Sequence, residues 1–195
     1  MDVGLSRDDW AQAALSALAE EGLAAVAIDP LARRLGATKG SFYWHFTNRD
    51  DLIAAVLELW EGRDTTDVIA ALDALDDPRA RLTALVRLAL GPAARGTDPH
   101  AGVLAAASDP RVAPVLERVT RARLATLDRL YSQAGLDEAD ARRHARLAYA
   151  LYIGTIDLRR AKPGELDGED EIEAHIELMA NAARPRSSGR ARPRS

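Results

Sequence analysis

Alanine and leucine recur at intervals of three and four residues along most of the chain, and runs of alternating β-branched residues are absent. This spacing predicts an all-α protein, because it puts apolar side chains on one face of each successive helix. The first helix is predicted over about residues 7–21, with Ser6 as its N-cap and Gly22 at its end. Its apolar face carries Trp10, Ala14, Leu15 and Leu18.

Two shorter helices are predicted next, and a tight turn separates them. The second helix covers about residues 29–35, with Asp29 as a possible N-cap, Pro30 at its first position and Gly36 at its end. Thr38 is then placed to cap a third helix of about six residues. Two short helices joined by a glycine-containing turn form a helix-turn-helix.

A long fourth helix is predicted to begin at Asn48, with Asp51 three residues on in a capping-box-like position, and to continue to about residue 75. Further helices are predicted over residues 78–90, 102–107, 110–134, 138–160 and 169–183. The sequence therefore predicts two helical domains, over residues 1–50 and 51–183. Residues 184–195, which are rich in arginine, proline and serine, are predicted to form a disordered tail.

Composition narrows the possible functions. The apolar fraction of 47% and the charged fraction of 29% are ordinary for a globular protein, and there is no cysteine. The four histidines are scattered without ligand spacing, so neither a metal site nor a cofactor is expected. An apolar run long enough to span a membrane is missing, and so is a signal-peptide pattern, which favours a cytoplasmic protein.

Positive charge and aromatic rings are concentrated in residues 33–49. This segment holds Arg33, Arg34, Lys39 and Arg49 without any acid, and it contains five consecutive rings at residues 42–46. The net charge of −4 includes five arginines in the last twelve residues, so residues 1–183 carry −9. An acidic body with one basic helical patch suits docking on DNA in a single orientation.

The start of the third helix predicts the base contacts. Thr38 caps the helix, so that Lys39, Gly40 and Ser41 point towards the major groove. Gly40 lets a base edge or a phosphate approach, because it has no side chain. Lys39 can reach guanine acceptors or a phosphate oxygen.

The rings that follow predict the backbone contacts. The Tyr43 hydroxyl and a His45 nitrogen suit phosphate oxygens, while Trp44 either contacts a thymine methyl group or the sugar backbone, or packs inside the protein. Phe42 and Phe46, four residues apart, are expected in the core.

Residues 31–46, LARRLGATKGSFYWHF, and residues 48–52, NRDDL, closely resemble the signature of the TetR family of transcriptional regulators. The resemblance implies a nine-helix homodimer, with three N-terminal helices on DNA and six helices for ligand binding and dimerisation. It places Arg49 at the phosphate backbone. Ala27 departs from the threonine that the family often has before its second helix, and Asp29 is acidic where a basic or neutral residue is common, so capping would fall to Asp29.

The second domain is expected to enclose a ligand pocket. Six polar or aromatic residues on apolar helices are candidates for ligand contact, with ordinary packing as the alternative reading for each. These are Trp60, Arg63, His100, Tyr131, Tyr149 and Tyr152. A four-helix dimer interface is expected from the last two helices, through Leu147, Leu151, Ile156, Ile172, Ile176 and Met179, with the small Ala148, Ala150 and Gly154 permitting close approach.

The predicted function is therefore a DNA-binding regulator, most simply a repressor, that binds a palindromic double-stranded operator as a homodimer. A small-molecule effector would release it by favouring a conformation that no longer fits successive major grooves. Two other classes stay open. An enzyme is disfavoured because the sequence contains none of the GxSxG, P-loop, GxGxxG or HExxH motifs, and no catalytic residue is assigned. A helical interaction module with an incidental helix-turn-helix is the other alternative.

Overall fold

The structure is a computed structural model that describes residues 4–90, 98–162, 164 and 168–182. All regular elements within these residues are helical, as the sequence predicts. They are α1 Arg7–Glu21, α2 Ile28–Arg34, α3 Lys39–Tyr43, α4 Arg49–Glu61, α5 Asp67–Asp73, α6 Pro78–Leu90, α7 Pro99–Ala105, α8 Ala113–Gln133, α9 Glu138–Ala161 and α10 Glu169–Ala182. The predicted tail and the side chains of Ile172 and Met179 lie outside the described residues. None of the described helices is long and apolar enough to cross a membrane.

Three of the four predicted side-chain caps are confirmed, at the starts of α1, α3 and α4. Ser6 and Asp9 form a complete capping box on α1. The Asn48 side chain accepts the backbone N–H of Asp51 at the start of α4. The Asp51 carboxylate accepts the N–H of Thr47 in return, so this start resembles a capping box, as the sequence predicts.

The predicted cap of α2 is wrong. Its N-cap is Ala27, which has an extended backbone and makes no side-chain cap bond, so Asp29 lies inside the first turn. An acid in the first turn still interacts favourably with the helix dipole. A missing cap hydrogen bond typically costs about 1 kcal/mol, which leaves α2 dependent on the packing of Leu31 and Ala32 in the core.

Two later helices begin at other residues than predicted. The helix expected over residues 102–107 is α7, which starts at Pro99 because the Asp98 side chain caps it and proline suits the first position. The helix expected from residue 110 is α8, which starts at Ala113 after a run of turns.

A π-helical segment, Gly62–Thr66, joins α4 to α5. The backbone stays in the right-handed helical region on both sides of it. The long fourth helix predicted to about residue 75 is therefore continuous, with one widened turn. Such turns occur often at functional sites, because they re-aim the side chains they carry.

The N-terminal helices enclose an aromatic core. Phe42 lies 5.3 Å from Trp10 in an edge-on arrangement and 5.3 Å from Phe46 in a stacked one, both measured between ring centroids. Phe42 and Phe46 are buried, as expected. Val103 and Val112, on and after α7, belong to the same core, which ties the later helices to the first four.

Helix α7 crosses α1 at very short range. A Cβ built on Gly102 would lie 2.2 Å from the carbonyl oxygen of Leu18. Only glycine permits this approach of the two backbones, because real Cβ atoms essentially never come so close.

The predicted dimer face needs correction. Ala148, Ile156 and Ile176 are buried within the chain rather than facing outwards. Ala148 packs in the core of α6, α8 and α9, and Ile176 packs against α6. Leu147, Ala150 and Gly154 of the prediction do lie on the exposed side of α9, together with Leu158, which was not predicted.

Candidate nucleic-acid interface and ligand cavity

The turn between α2 and α3 has the geometry that the sequence predicts. Gly36 adopts a φ of 63°, which favours glycine, and the N–H of Ala37 donates to the carbonyl of Ala32 at 2.8 Å. The Thr38 hydroxyl accepts the N–H of Ser41 at 3.1 Å. The turn and the cap together present the first residues of α3 at the surface.

The side chains predicted to contact DNA differ in how far they are exposed to solvent. Lys39, Tyr43 and Trp44 protrude, and Trp44 is 86% exposed, so the alternative of Trp44 as a core residue within this chain is wrong. Ser41 and His45 are half-buried at the edge of the same face. The α3 helix ends at Tyr43, earlier than predicted, and a turn follows through Trp44 and His45.

The positive charge of residues 33–49 is partly used within the protein. Arg34 forms a two-pronged ion pair with Glu20 at 2.8 and 2.9 Å. Among the described residues Arg33 forms no ion pair, and it is exposed in the last turn of α2. Arg33 is therefore an exposed cation next to the turn, for which the sequence predicts no specific DNA contact.

Arg49 has an internal role that the sequence did not reveal. Its Nε donates to the carbonyl of Val26 at 2.6 Å, and its Nη2 donates to the carbonyl of Leu23 at 2.7 Å. The side chain thus fastens the 3₁₀ turn Leu23–Ala25 to the start of α4. The phosphate contact of Arg49 stays a prediction, and removing this side chain would also loosen the fold.

Lys39 is paired with Asp29. Its Nζ lies 2.8 Å from the Asp29 carboxylate, and this hydrogen bond raises the pKa of Lys39. Both side chains are more than half exposed, so the pair is weak and open to competition from a phosphate.

We expect Asp29→Asn to strengthen DNA binding about two- to fivefold, because it frees Lys39 and removes an acid beside the predicted DNA contacts. Titration of labelled DNA, followed by fluorescence anisotropy, measures the change. Glu138→Gln, which breaks a comparably exposed pair with Arg142 on α9, is the matched control. Equal affinities for Asp29→Asn and the parent would show that Asp29 does not restrain Lys39.

A cavity of about 490 Å³ lies among α5, α6, α8 and α9 and the π segment. Three of the six predicted ligand residues line it, namely Arg63, Tyr149 and Tyr152. The other three do not line it. Trp60 and His100 are buried just beyond its wall, and Tyr131 packs in the separate core between α8 and α9, where burial raises its pKa to about 12.

A polar network around Arg123 forms one part of the cavity wall. Arg123 donates from Nε to the Thr65 hydroxyl at 3.0 Å and from Nη2 to the main-chain carbonyl of Asp64 at 3.0 Å. Its Nη1 lies 3.3 Å from Nδ1 of His100 and 3.4 Å from the Tyr152 hydroxyl. The guanidinium also lies over the rings of Trp60 and Tyr152 at 5.5 and 5.6 Å.

Burial sets the charge states in this network. Burial, helped by the charge of Arg123, lowers the pKa of His100 to about 3, so His100 is neutral at physiological pH and can accept from Arg123. Burial also raises the pKa of Asp98, whose two oxygens accept from the N–H of His100 at 2.8 Å and from the Tyr152 hydroxyl at 3.2 Å. Burial is likewise the main cause of the raised pKa of Tyr152.

Sequence reasoning missed five polar residues of the cavity wall, which are Asp64, Thr65, Asp98, Arg123 and Thr126. Asp98 carried a readable signal, since an aspartate before a proline often caps a helix. Arg123 did not, because an arginine two residues from Arg121 on a long helix looks like part of a solvated face. Among the described residues no cluster of three or more potential metal ligands occurs.

The N-terminal part of the chain is similar to a known protein family. Residues 12–56 match the family described as bacterial regulatory proteins, tetR family. The transcriptional regulator BetI of Rhizobium meliloti is 30% identical over 76 residues, which are 39% of this chain and 37% of that protein. The sequence match therefore spans little more than a third of this relative's length.

Solved structures match over nearly the whole chain. A transcriptional regulator from Rhodococcus sp. Rha1 superposes with a TM-score of 0.74 and 20% identity, covering 91% of this chain and 95% of that one. A TetR transcription regulator from Haloarcula marismortui superposes with a TM-score of 0.70 and 22% identity, covering 91% and 95%. At this identity the likeness establishes the fold.

Proposed function

We propose that this chain is a repressor that binds a palindromic operator as a homodimer and dissociates from it when a small molecule binds. Residues 12–56 match the tetR family, and the helical fold resembles that of a solved transcriptional regulator. The observation that carries the proposal is the exposed face of α3, where Lys39, Tyr43 and Trp44 protrude within the region that matches the family. A cytoplasmic location accords with this role. Residues 1–50 would bind DNA, and residues 51–183 would bind ligand and partner.

Each part of the α3 face has a proposed contact. Lys39, Gly40 and Ser41 would meet base edges in the major groove. Tyr43 and His45 would hold phosphates, and Trp44 would lie against the sugar or a thymine methyl group.

Dimerisation is proposed through the exposed face of α9. Leu147, Ala150, Gly154 and Leu158 follow one another at helical spacing on one exposed side. Apart from its own stretch of helix, no atom of the described residues lies within 4 Å of a Cβ built on Gly154, so a second helix has room to approach. Leu178, which is also exposed, would extend the interface onto α10.

We expect the double variant Leu147→Glu/Leu158→Glu to be a folded monomer, because charges on this face prevent its burial against a second copy. Light scattering after size exclusion measures the mass. Leu75→Glu, which changes an exposed leucine elsewhere, is the control and should leave the mass unchanged. A double variant that keeps the oligomeric state of the parent would show that this face is not the interface.

Effector release is proposed to act through α7. Asp98 and Pro99 line the cavity at the start of this helix, while Gly102 lies against the α1 backbone in the DNA-binding domain. Arg111, after α7, pairs with Asp109 and also with Asp50 in the first turn of α4. A ligand that moves α7 would therefore shift both α1 and α4, and with them the spacing of the two α3 helices.

Gel-shift and footprinting assays on the DNA that flanks the gene test the function directly. The purified chain should retard this DNA and protect an inverted repeat whose half-sites lie about 34–36 Å apart, one helical turn. Binding no stronger than to unrelated DNA of the same length and at the same salt would contradict the proposal. An effector that binds free and DNA-bound protein equally well would contradict release.

A further inference from the structure

We propose that the cavity binds an amphipathic organic anion, with an apolar chain and a single carboxylate, and that Arg123 binds the carboxylate. This inference rests on the proposed function only in treating the cavity as the effector site. The binding itself is a property of the protein without DNA.

The cavity wall is apolar over most of its area and polar in one connected part. Arg123 contacts Thr65 and the backbone of Asp64, and it is linked to Asp98 through Tyr152. The rest of the wall is formed largely by aliphatic side chains of α5, α6, α8 and α9. A ligand that matches both parts has an apolar body and one polar head.

Arg123 is a permanent cation whose contacts are all with uncharged groups. Its four hydrogen-bond partners are a hydroxyl, a main-chain carbonyl, a neutral imidazole and a phenol. In the part of the chain that the structure describes, no carboxylate forms an ion pair with Arg123, whereas Arg63 pairs with Asp64 at 2.6 Å. A half-buried guanidinium in an apolar cavity is best compensated by an anion.

The geometry leaves room for a stronger acceptor at Nη1. Its two contacts, at 3.3 and 3.4 Å, are longer than the 2.7–2.9 Å typical of a guanidinium and a carboxylate. A ligand carboxylate could replace them and accept from both terminal nitrogens of Arg123. The Tyr152 hydroxyl would keep its bond to Asp98.

A cationic ligand at Asp98 fits the structure less well. Both carboxylate oxygens of Asp98 already accept hydrogen bonds, one of which caps α7. Burial favours the uncharged form of this carboxyl and so weakens its attraction for a cation. Arg123, in contrast, carries a guanidinium, the cation that suits a bidentate contact with a carboxylate.

Three probes with the same ten-carbon chain test the head-group preference, and they are decanoate, 1-decanol and decyltrimethylammonium. Calorimetric titration of the full chain without DNA should give at least about tenfold tighter binding for decanoate than for either other probe. Equal binding of decanoate and decanol, or tighter binding of the ammonium compound, overturns the proposal.

Variants of Arg123 test the residue. Arg123→Gln should weaken decanoate binding about ten- to a hundredfold and leave decanol binding unchanged. Arg121→Gln, on the exposed side of the same helix, should change neither. If Arg123→Gln does not fold, Arg123→Lys keeps the charge and should keep a reduced preference for decanoate over decanol. Unchanged decanoate binding in Arg123→Gln, or no preference in Arg123→Lys, overturns the assignment.

A gel shift in the presence of decanoate separates this inference from the proposed function. If decanoate binds through Arg123 and the DNA complex persists, the ligand class stands and release by this anion fails. If decanol releases DNA as well as decanoate does, release stands and the carboxylate preference fails.

Discussion

Lys39→Ala is expected to lower the affinity for operator DNA about ten- to a hundredfold, because Lys39 is the one cation in α3 and lies where a guanine or a phosphate would be met. The folded state should be almost unaffected. The lost pair with Asp29 is exposed on both sides, and such exposed pairs contribute little to the stability of a protein. Anisotropy titrations at several salt concentrations measure the affinity, and thermal unfolding measures the stability.

The pattern of the loss distinguishes two roles of Lys39. If Lys39 contacts a base, its removal lowers the affinity for the operator more than the affinity for random DNA. If it contacts a phosphate, its removal lowers both affinities alike and reduces the slope of the salt dependence by about one. Arg142→Ala, which removes a similarly exposed, ion-paired cation from α9, is the control. If Lys39→Ala and Arg142→Ala bind DNA like the parent, α3 is not the recognition helix.

Local signals in the sequence were sufficient for three of the four helix starts in residues 1–50. The caps at Ser6, Thr38 and Asn48 are side-chain contacts over three residues, so they can be predicted without knowledge of the rest of the fold. Asp29 failed as a cap although its residue type is right. The chain enters α2 two residues earlier, where Ala27 is extended and the packing of Leu31 sets the helix start.

The cavity could be predicted only in part, because its polar wall depends on contacts between distant segments. Arg123 contacts Thr65 and Asp64, which lie about sixty positions earlier in the sequence. These two residues belong to the π segment, which has no simple sequence pattern. Tyr131 shows the reverse error. Its residue type suited a ligand contact, but α9 covers it, and its ring lies 5.5 Å from that of His144.

The second large effect is expected at the crossing of α7 and α1. Gly102→Ala should destabilise the protein by about 1–2 kcal/mol, which lowers the melting temperature by about 2–8 °C for a chain of this size. Alanine is ordinarily the better helix former by about 0.5–1 kcal/mol. The clash outweighs this gain, because the Cβ would lie 2.2 Å from the Leu18 carbonyl oxygen, a backbone atom that cannot rotate away.

Gly154→Ala is the matched control with the opposite expected sign. Gly154 is also a helical glycine, but it is exposed, and a Cβ there meets nothing within 4 Å. In the Leu147→Glu/Leu158→Glu background, where no second copy is expected on α9, its melting temperature should therefore rise by about 1–4 °C, since only the helix propensity changes. Differential scanning calorimetry of both glycine variants in that background, beside the background protein itself, measures both signs in one experiment.

Gly102→Ala also tests whether α7 couples the cavity to the N-terminal helices that are proposed to bind DNA. Relief of the clash requires α7 and α1 to move apart, and α1 packs against α2 and α4. Gly102→Ala is therefore expected to weaken operator binding more than its loss of stability explains, at a temperature where the variant is fully folded. A variant that melts lower but binds operator like the parent would confine Gly102 to a packing role. A variant that melts higher, as Gly154→Ala should, would contradict the close crossing itself.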